Sequence, residues 1–214
     1  MPAPTCENCS RICPKQPGYN KRLRRLGPTI GWLVGVLARD TTLWTDDVWV
    51  ADSTPVECAR SRETVKRSDL AGWAEYGYCA SHSRFFWGLR LHLLCTLHGL
   101  PVGFALAGAK ADERQTLLGI FEAELAAADL DLLRPARKGE KPRPGTRFFK
   151  PLRQVIESVN DTFKGQLDLE QHGGHTPAGV WVRVVQRVLA LTAAIWHNDR
   201  TGQPIKRSLI AYDH

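Results

Sequence analysis

The chain has 214 residues, a net charge of +7 and a sequence pI of about 9.3. Its 43% hydrophobic and 24% charged residues exclude a fibrous or disordered chain and indicate one globular domain, with room for a small appendage. The basic charge favours a polyanionic partner. The longest apolar stretch, 178–196, is interrupted by Arg183, Gln186 and Arg187, and the first ten residues lack the apolar core of a signal peptide. We therefore predict a cytoplasmic protein without a membrane span.

The six cysteines fall into a cluster and three scattered positions. Cys6, Cys9 and Cys13 have a spacing that suits zinc or an iron–sulfur cluster. A structural zinc site needs a fourth ligand, and the next candidates are as distant as Cys58 and His82. We favour free thiols for the cluster and leave metal binding open. Buried or half-buried free thiols are predicted at Cys58, Cys79 and Cys95.

The first half of the chain predicts a partial helical region and then a sheet. Residues 1–40 form a leader and an apolar helix over 29–40. The first strand covers about 47–53, and the Asp52 that closes it is either a turn former or a metal ligand. Residues 57–84 are predicted to form a long polar loop. Its aromatic residues either staple the loop or stack on bases; they are Trp73, Tyr76 and Tyr78.

A hairpin and a series of helices follow. Strands are predicted over 84–97 and 100–108, joined by a tight turn at His98–Gly99. Arg90 and His92 lie two apart on the second strand, so they face the same way, toward a site or in a structural role. Later elements are a helix over 112–130, a strand over 130–136 and a basic loop over 137–147. A helix over 151–166 follows, and the last helix begins at Pro177 and is capped by Thr176. His172 and His175 are predicted as loop residues. This order of elements indicates an α/β protein.

Three charged residues of the helix over 151–166 allow two interpretations. Arg153, Glu157 and Lys164 stand at i, i+4 and i+11, so they share one face of a regular helix. Arg153 and Glu157 could form an exposed ion pair, worth about 0.3–0.5 kcal/mol. Alternatively, the carboxylate is aimed at a metal and the two cations contact phosphates.

Four segments resemble the DDE transposases of bacterial insertion sequences: "ADSTPVECARS", "AEYGYCAS", "FFWGLRLHLLCTLHGLPVGFALAGAKADE" and "LLRPARKGEKPRPGTRFFKPLRQVIESVNDTFKGQLDLE". The resemblance runs from about Tyr19 to the C-terminus. It implies a ribonuclease-H-like catalytic domain over 41–214, with a mixed sheet flanked by helices. An Asp on the first strand and a Glu on a late helix hold divalent metal in this family. Asp52 matches the first position, and Arg153-x3-Glu157-x6-Lys164 matches the family's helix signature.

The resemblance implies metal-dependent DNA cleavage and strand transfer, with Mg²⁺ or Mn²⁺ as cofactor. Two Mg²⁺ about 3.5–4 Å apart activate the attacking oxygen and stabilise the leaving oxygen, and Mg²⁺ prefers oxygen ligands. Asp52 and Glu157 are the predicted catalytic and metal-binding residues. The partners are the DNA of element ends and target, and a complete family member is expected to form a homo-oligomer. The predicted DNA-binding residues are Arg60, Arg62, Arg137, Lys138, Lys141, Arg153 and Lys164.

Two departures from the family bear on activity. Lys150 stands where the family has a Tyr three residues before the Arg. The family also needs a second Asp at the end of a middle strand, and Asp112, Asp129 and Asp131 do not have that context. We therefore expect an internal deletion of one central strand with its ligand, a shortened N-terminal region and reduced activity. A non-catalytic DNA-binding remnant is the alternative, while an unrelated nuclease such as a resolvase would need a full set of carboxylates.

Overall fold

The fold is mixed α/β, as the sequence predicts at the level of fold class. The computed structural model describes residues 16–79, 83–112, 115, 116, 119, 141 and 148–209. Within these residues the helices are α1 (Gln16–Arg39), α2 (Arg62–Lys66), α3 (Phe149–Asp161) and α4 (Pro177–Thr201). The strands are β1 (Trp49–Ala59), β2 (Glu75–Cys79), β3 (Arg84–Thr96) and β4 (Pro101–Gly108).

Strand β3 is the centre of an open antiparallel sheet. Along one side it pairs with the whole of β1, from Trp49 opposite Thr96 to Ala59 opposite Trp87. Along the other side it pairs first with β2 and then with β4, so these two short strands follow each other end to end. The β3–β4 connection is the predicted tight turn, in which Gly99 adopts a φ of +87° that favours glycine.

The hydrophobic core lies between one face of this sheet and the helices. Leu89, Leu91 and Leu93 of β3 are fully buried, and α4 adds the buried residues Val180, Val184, Val188, Leu191 and Ile195. The same core includes Val34 and Ala38 of α1. Phe104 of β4 stacks on Trp181 of α4 with ring centroids 5.7 Å apart.

Helix α4 is long and apolar because it packs in the core. By length and composition alone it could cross a membrane, and 56% of its most apolar window is buried in the fold. The two of its three arginines that lie inside the apolar stretch bond within the protein. Arg183 donates to Asn20 Oδ1, and Arg187 donates to the carbonyls of Leu167, Asp168 and Arg183. Thr176 caps the helix as predicted, since its Oγ1 accepts from Gly179 N.

Several predicted boundaries are wrong. Helix α1 begins at Gln16 and runs through Pro28. Strand β1 continues past Asp52 to Ala59, because it stays paired with β3 and Val56 is buried. Pro55 is tolerated in β1 because β3 is its only strand neighbour among the described residues, and proline is accepted on edge strands.

The predicted polar loop over 57–84 is also wrong, since it contains α2 and β2. The side chain of Ser61 accepts from Thr64 N and starts α2. In β2 the exposed Tyr76 and Tyr78 alternate with the buried Gly77 and Cys79, which is the period of a strand. Our predictions for 1–15 and for most of 113–147 lie outside the described residues; they include the cluster of Cys6, Cys9 and Cys13.

Candidate metal centre

A side-chain hydrogen bond joins the middle of β1 to α3. Asp52 lies opposite Leu93 in the β1–β3 register, so both side chains are on the face of the sheet that the helices cover. There Asn160 Nδ2 donates to Asp52 Oδ2 over 3.0 Å. Asn160 is 6% exposed and Asp52 is partly buried. Asp52 is therefore a mid-strand carboxylate that faces the late helix, and the predicted position at a strand end was wrong.

Glu157 lies one turn before Asn160 on α3. Side chains at i and i+3 are neighbours on a helix, with Cβ atoms about 5–6 Å apart. Because Asn160 reaches Asp52, the helix that carries Glu157 lies on the same side of the sheet as Asp52. Glu157 Oε1 accepts from Arg153 Nε over 2.8 Å in a pair whose side chains are 51% and 78% exposed. At that exposure the pair contributes only a few tenths of a kcal/mol, about 0.3–0.5.

Lys164 does not share the regular helix with Glu157. Residues Thr162–Gln166 form a π-helical turn after α3. The wider turn changes the angle between successive side chains. A residue seven positions after Glu157 is therefore not placed by the geometry of a regular α-helix. The predicted regular helix through Lys164 is therefore wrong, and the common face of Arg153, Glu157 and Lys164 stays a prediction.

Asn160 is the residue of this site that the sequence analysis missed. Its Oδ1 is buried without a hydrogen-bond partner within the described structure, and leaving a buried acceptor unsatisfied is costly. Asn160 follows Ile156 by four residues, so a polar side chain stands on the buried stripe of α3. That interruption of an apolar stripe was the available signal.

The donors at this junction are oxygens of the kind that Mg²⁺ binds. Asp52 offers a carboxylate, Asn160 an amide carbonyl and Glu157 a second carboxylate. A half turn of the Asn160 amide brings Oδ1 toward Asp52, and the two oxygens repel each other unless a cation lies between them. Nitrogen and oxygen of an amide are assigned from such networks. By the chemistry of their donors these three residues suit a divalent ion, and Glu157 would have to leave Arg153 to join the other two.

The residues that the structure describes do not supply a third carboxylate at this junction. Over the parts of the chain that the structure describes, no group of three or more His, Cys, Asp or Glu side chains is arranged to hold a metal. Asp112 has a structural role, since its Oδ1 accepts from Gln115 N in a helix-capping contact. Asp129 and Asp131 lie outside the described residues.

Most of the described residues that were predicted to bind DNA are exposed, while Lys164 is partly buried. Arg60, Arg62 and Arg153 are exposed, and Arg60 donates to Glu57 over 2.9 Å. Lys141 is exposed as well. Arg137 and Lys138 lie outside the described residues.

Arg90 fastens three strands where β2 and β4 meet. Its guanidinium donates to Ser53 Oγ on β1, to the Tyr78 carbonyl on β2 and to the Ala109 carbonyl just after β4. His92 is fully buried two residues further along β3. The sequence allowed Arg90 a role near a site or a structural role, and the observed hydrogen bonds are structural.

Cys58 of β1 and His172 form a partly buried contact. The Cys58 Sγ lies 3.9 Å from His172 Nε2. Burial raises the pKa of the Cys58 thiol to about 12, and the charge of Glu57 adds to the effect, while a hydrogen bond from the Leu89 backbone opposes it. Burial also lowers the pKa of His172, against a hydrogen bond to the Glu57 carbonyl. A neutral thiol beside a neutral imidazole is a structural pair. Cys58 and Cys95 are free thiols and at least partly buried, as predicted, and Cys79 is buried as well.

The chain was compared with protein-family models, with curated proteins and with solved structures. No family model, curated protein or solved structure matches it.

Proposed function

We propose that this chain is a transposase of the DDE type by descent, with a ribonuclease-H-like catalytic domain and a metal site that has lost part of its ligand set. The observation that supports it best is the contact between Asp52 and Asn160. It brings the first strand against the late helix that carries Arg153 and Glu157, which is the relationship that the resemblance requires.

Asp52, Asn160 and Glu157 would hold the ion. A divalent metal in such a site activates the attacking oxygen and stabilises the leaving oxygen of a phosphodiester. The chain's own contribution is to fix the oxygens: β1 holds Asp52 rigidly, and α3 presents Asn160 and Glu157 one turn apart. Exposed arginines, Arg153 among them, neutralise the DNA backbone and position it.

Two carboxylates leave the charge of two Mg²⁺ incompletely balanced, so the second ion binds weakly. Loss of fixed metal geometry costs orders of magnitude in rate, because the in-line arrangement of the reacting atoms is lost. We therefore expect metal binding at one position, DNA binding, and little or no strand transfer.

The test separates metal binding from chemistry. Isothermal titration calorimetry measures the binding of Mn²⁺ to the wild type, to Asp52→Ala and to Glu157→Gln. Asp161→Asn is the matched control, because Asp161 is an exposed carboxylate of the same helix. Wild type and control should bind Mn²⁺, and Asp52→Ala should not. Equal binding by Asp52→Ala would refute the site.

The same proteins are then incubated with the DNA that flanks the gene and with Mg²⁺ or Mn²⁺. Strand transfer that disappears in Asp52→Ala would show a complete site and overturn the expected loss of activity. If the wild type binds neither Mn²⁺ nor DNA, the proposal that the chain keeps any function of a transposase is refuted.

A non-catalytic DNA-binding protein is the second candidate, and the Arg153–Glu157 pair favours it. That pair occupies the second carboxylate with a cation of its own helix. DNA binding without Mn²⁺ binding in the wild type would decide for this candidate.

A further inference from the structure

One end of the sheet exposes a row of aromatic side chains. Tyr78 of β2 lies opposite Phe85 of β3, with ring centroids 5.1 Å apart. Tyr76 lies opposite Trp87, so all four rings are on one face of the sheet. Phe85 is 78% exposed, Tyr76 49% and Tyr78 47%. Exposing three large rings together costs hydrophobic free energy, and such a patch commonly marks a binding site.

The row is held rigidly from behind. Gly77 lies between the two tyrosines, and on the opposite face of the sheet it packs against Phe86 and Ala109. A Cβ at this position would lie 2.7 Å from the Ala109 side chain. Phe86, Cys79 and Ala109 form a small buried cluster on that side. Arg90 holds the Tyr78 carbonyl over 2.9 Å. The exposed rings therefore keep their positions on a packed sheet.

Arginines lie beside the aromatic row, next to Tyr76 and Phe85. A groove of about 400 Å³ beside it is lined by Arg60, Arg62, Arg84, Glu57, Tyr76 and Phe85, among others. Glu57, which is 10% exposed, is bonded to Arg60 and Arg84, and Arg84 also pairs with Glu170 over 3.0 Å. Three guanidinium groups therefore stand against two carboxylates, and Arg62 carries the remaining positive charge of the groove. The groove presents positive charge next to aromatic rings, which is complementary to a polyanion with flat apolar groups.

We infer that this surface, the row of Tyr76, Tyr78 and Phe85 with Arg60, Arg62 and Arg84, binds single-stranded DNA. Exposed rings stack on unpaired bases without regard to sequence, while arginines follow the phosphates. The bases of a duplex are already stacked on each other and do not present their faces to protein rings. The surface thus selects unpaired over paired DNA. The inference adds a substrate class to the proposed function but does not need a working metal site.

The experiment measures the anisotropy of a labelled oligo(dT) of about 15 nucleotides, a length within the range that one such surface covers. Phe85→Ala and Tyr78→Ala should each weaken binding about 10-fold, because stacking on one base is lost. Binding of a duplex of the same length should change less than twofold. Both variants replace exposed rings, and thermal unfolding checks that they fold.

Trp32→Ala is the matched control, because Trp32 is a 67% exposed aromatic on α1. It should bind oligo(dT) like the wild type. Unchanged binding by Phe85→Ala and Tyr78→Ala, or an equal loss in Trp32→Ala, would overturn the inference. Tighter binding of oligo(rU) would assign the surface to RNA instead. A wild-type dimer that Phe85→Ala dissociates, without a change in oligo(dT) binding, would assign it to self-association.

Failure of this inference is distinguishable from failure of the proposed function. Asp52→Ala should keep full affinity for oligo(dT), because Asp52 lies on a different part of the sheet. Loss of Mn²⁺ binding with intact oligo(dT) binding concerns the metal site alone, and the reverse result concerns the aromatic surface alone.

Discussion

Asn160 donates a hydrogen bond to Asp52 across 3.0 Å, and this contact joins the first strand of the sheet to α3 although 108 residues separate the two in the chain. The donor is 6% exposed. A hydrogen bond to a charged group in such surroundings is stronger than an average one. The contact therefore matters for stability as well as for the proposed metal site.

A double-mutant cycle should detect this bond. Asp52→Ala and Asn160→Ala are each expected to lower the free energy of unfolding, and the coupling between them should be about 1–2 kcal/mol. Urea unfolding of the two single variants and the double variant measures it. The pair Asp52→Ala and Asp161→Asn is the control and should be additive within about 0.5 kcal/mol. Additivity in the test pair would mean that the bond contributes nothing.

Cys58 should resist alkylation in the folded protein. With a pKa raised to about 12, its thiolate at pH 8 is about one part in ten thousand, compared with about one in ten for a thiol at the ordinary value of 9.0. Iodoacetamide should label it roughly a thousandfold more slowly in the native chain than in urea. Peptide mapping by mass spectrometry reports the rate, and rapid native labelling would contradict the buried position.

The same shift has a consequence for alkaline stability. The folded thiol has the higher pKa, so its contribution to stability is complete below pH 9 and is lost as the pH rises toward 12. Cys58→Ala should therefore show a flatter decline of unfolding free energy between these values. An identical pH profile for both proteins would contradict the shift.

His172 should make the fold sensitive to acid. Its Nδ1 accepts from Gly174 N over 3.0 Å and its Nε2 donates to the Glu57 carbonyl over 3.1 Å, so a second proton has no acceptor at Nδ1. The pKa of His172 is lowered chiefly by burial and further by the charges of Arg187, His175 and Arg183. Its contribution to stability is therefore present above pH 6.5 and is lost as the pH falls below that value.

The measurement compares unfolding free energies at pH 7 and pH 5. Wild type should lose more stability than His172→Gln, by at most about 1.4 kcal/mol per pH unit for one proton. His175→Gln is the control for a histidine that is less buried. Parallel pH profiles for wild type and His172→Gln would exclude His172 as the source.

Binding to a random duplex should depend strongly on salt. The net charge of +7 and the exposed Arg60 and Arg62 predict release of counterions from the phosphates. Arg60→Gln and Arg62→Gln should each reduce the slope of log K against log salt by about 1. Lys206→Gln, an exposed lysine outside the predicted basic segments, is the charge-matched control. Affinity that is indifferent to salt would exclude phosphate contacts as its source.

The sequence predicted the fold best where the hydrophobic residues follow a single period, that of a strand or that of a helix. The β3–β4 hairpin and the start of α4 at Pro177 follow from alternation, a turn glycine and a cap. The sequence predicted β1 but ended it at about residue 53, six residues too early, because Ser53 and Pro55 are turn residues in isolation and only pairing with β3 keeps them extended. Prediction failed at β2, where five residues are too few for a clear period.

The candidate site shows the same division. The sequence could offer Asp52 and Glu157 as carboxylates, but it could not show that Asn160 reaches Asp52, because that contact depends on how α3 packs on the sheet. The π-turn at Lys164 was likewise hidden, since the helical spacing in the sequence is regular. Tyr76 and Tyr78 became part of an exposed aromatic row only when strand pairing brought Phe85 beside them.

Strand β3 is continuous over thirteen residues, and it links the aromatic row to the neighbourhood of Asp52. Phe85 and Leu93, the residue opposite Asp52, are eight steps apart along it, which is roughly 27 Å at about 3.4 Å per step. An unpaired base stacked on Phe85 would therefore lie roughly 27 Å from Asp52 along the strand. Because β3 is paired on both sides, no loop motion can change that separation.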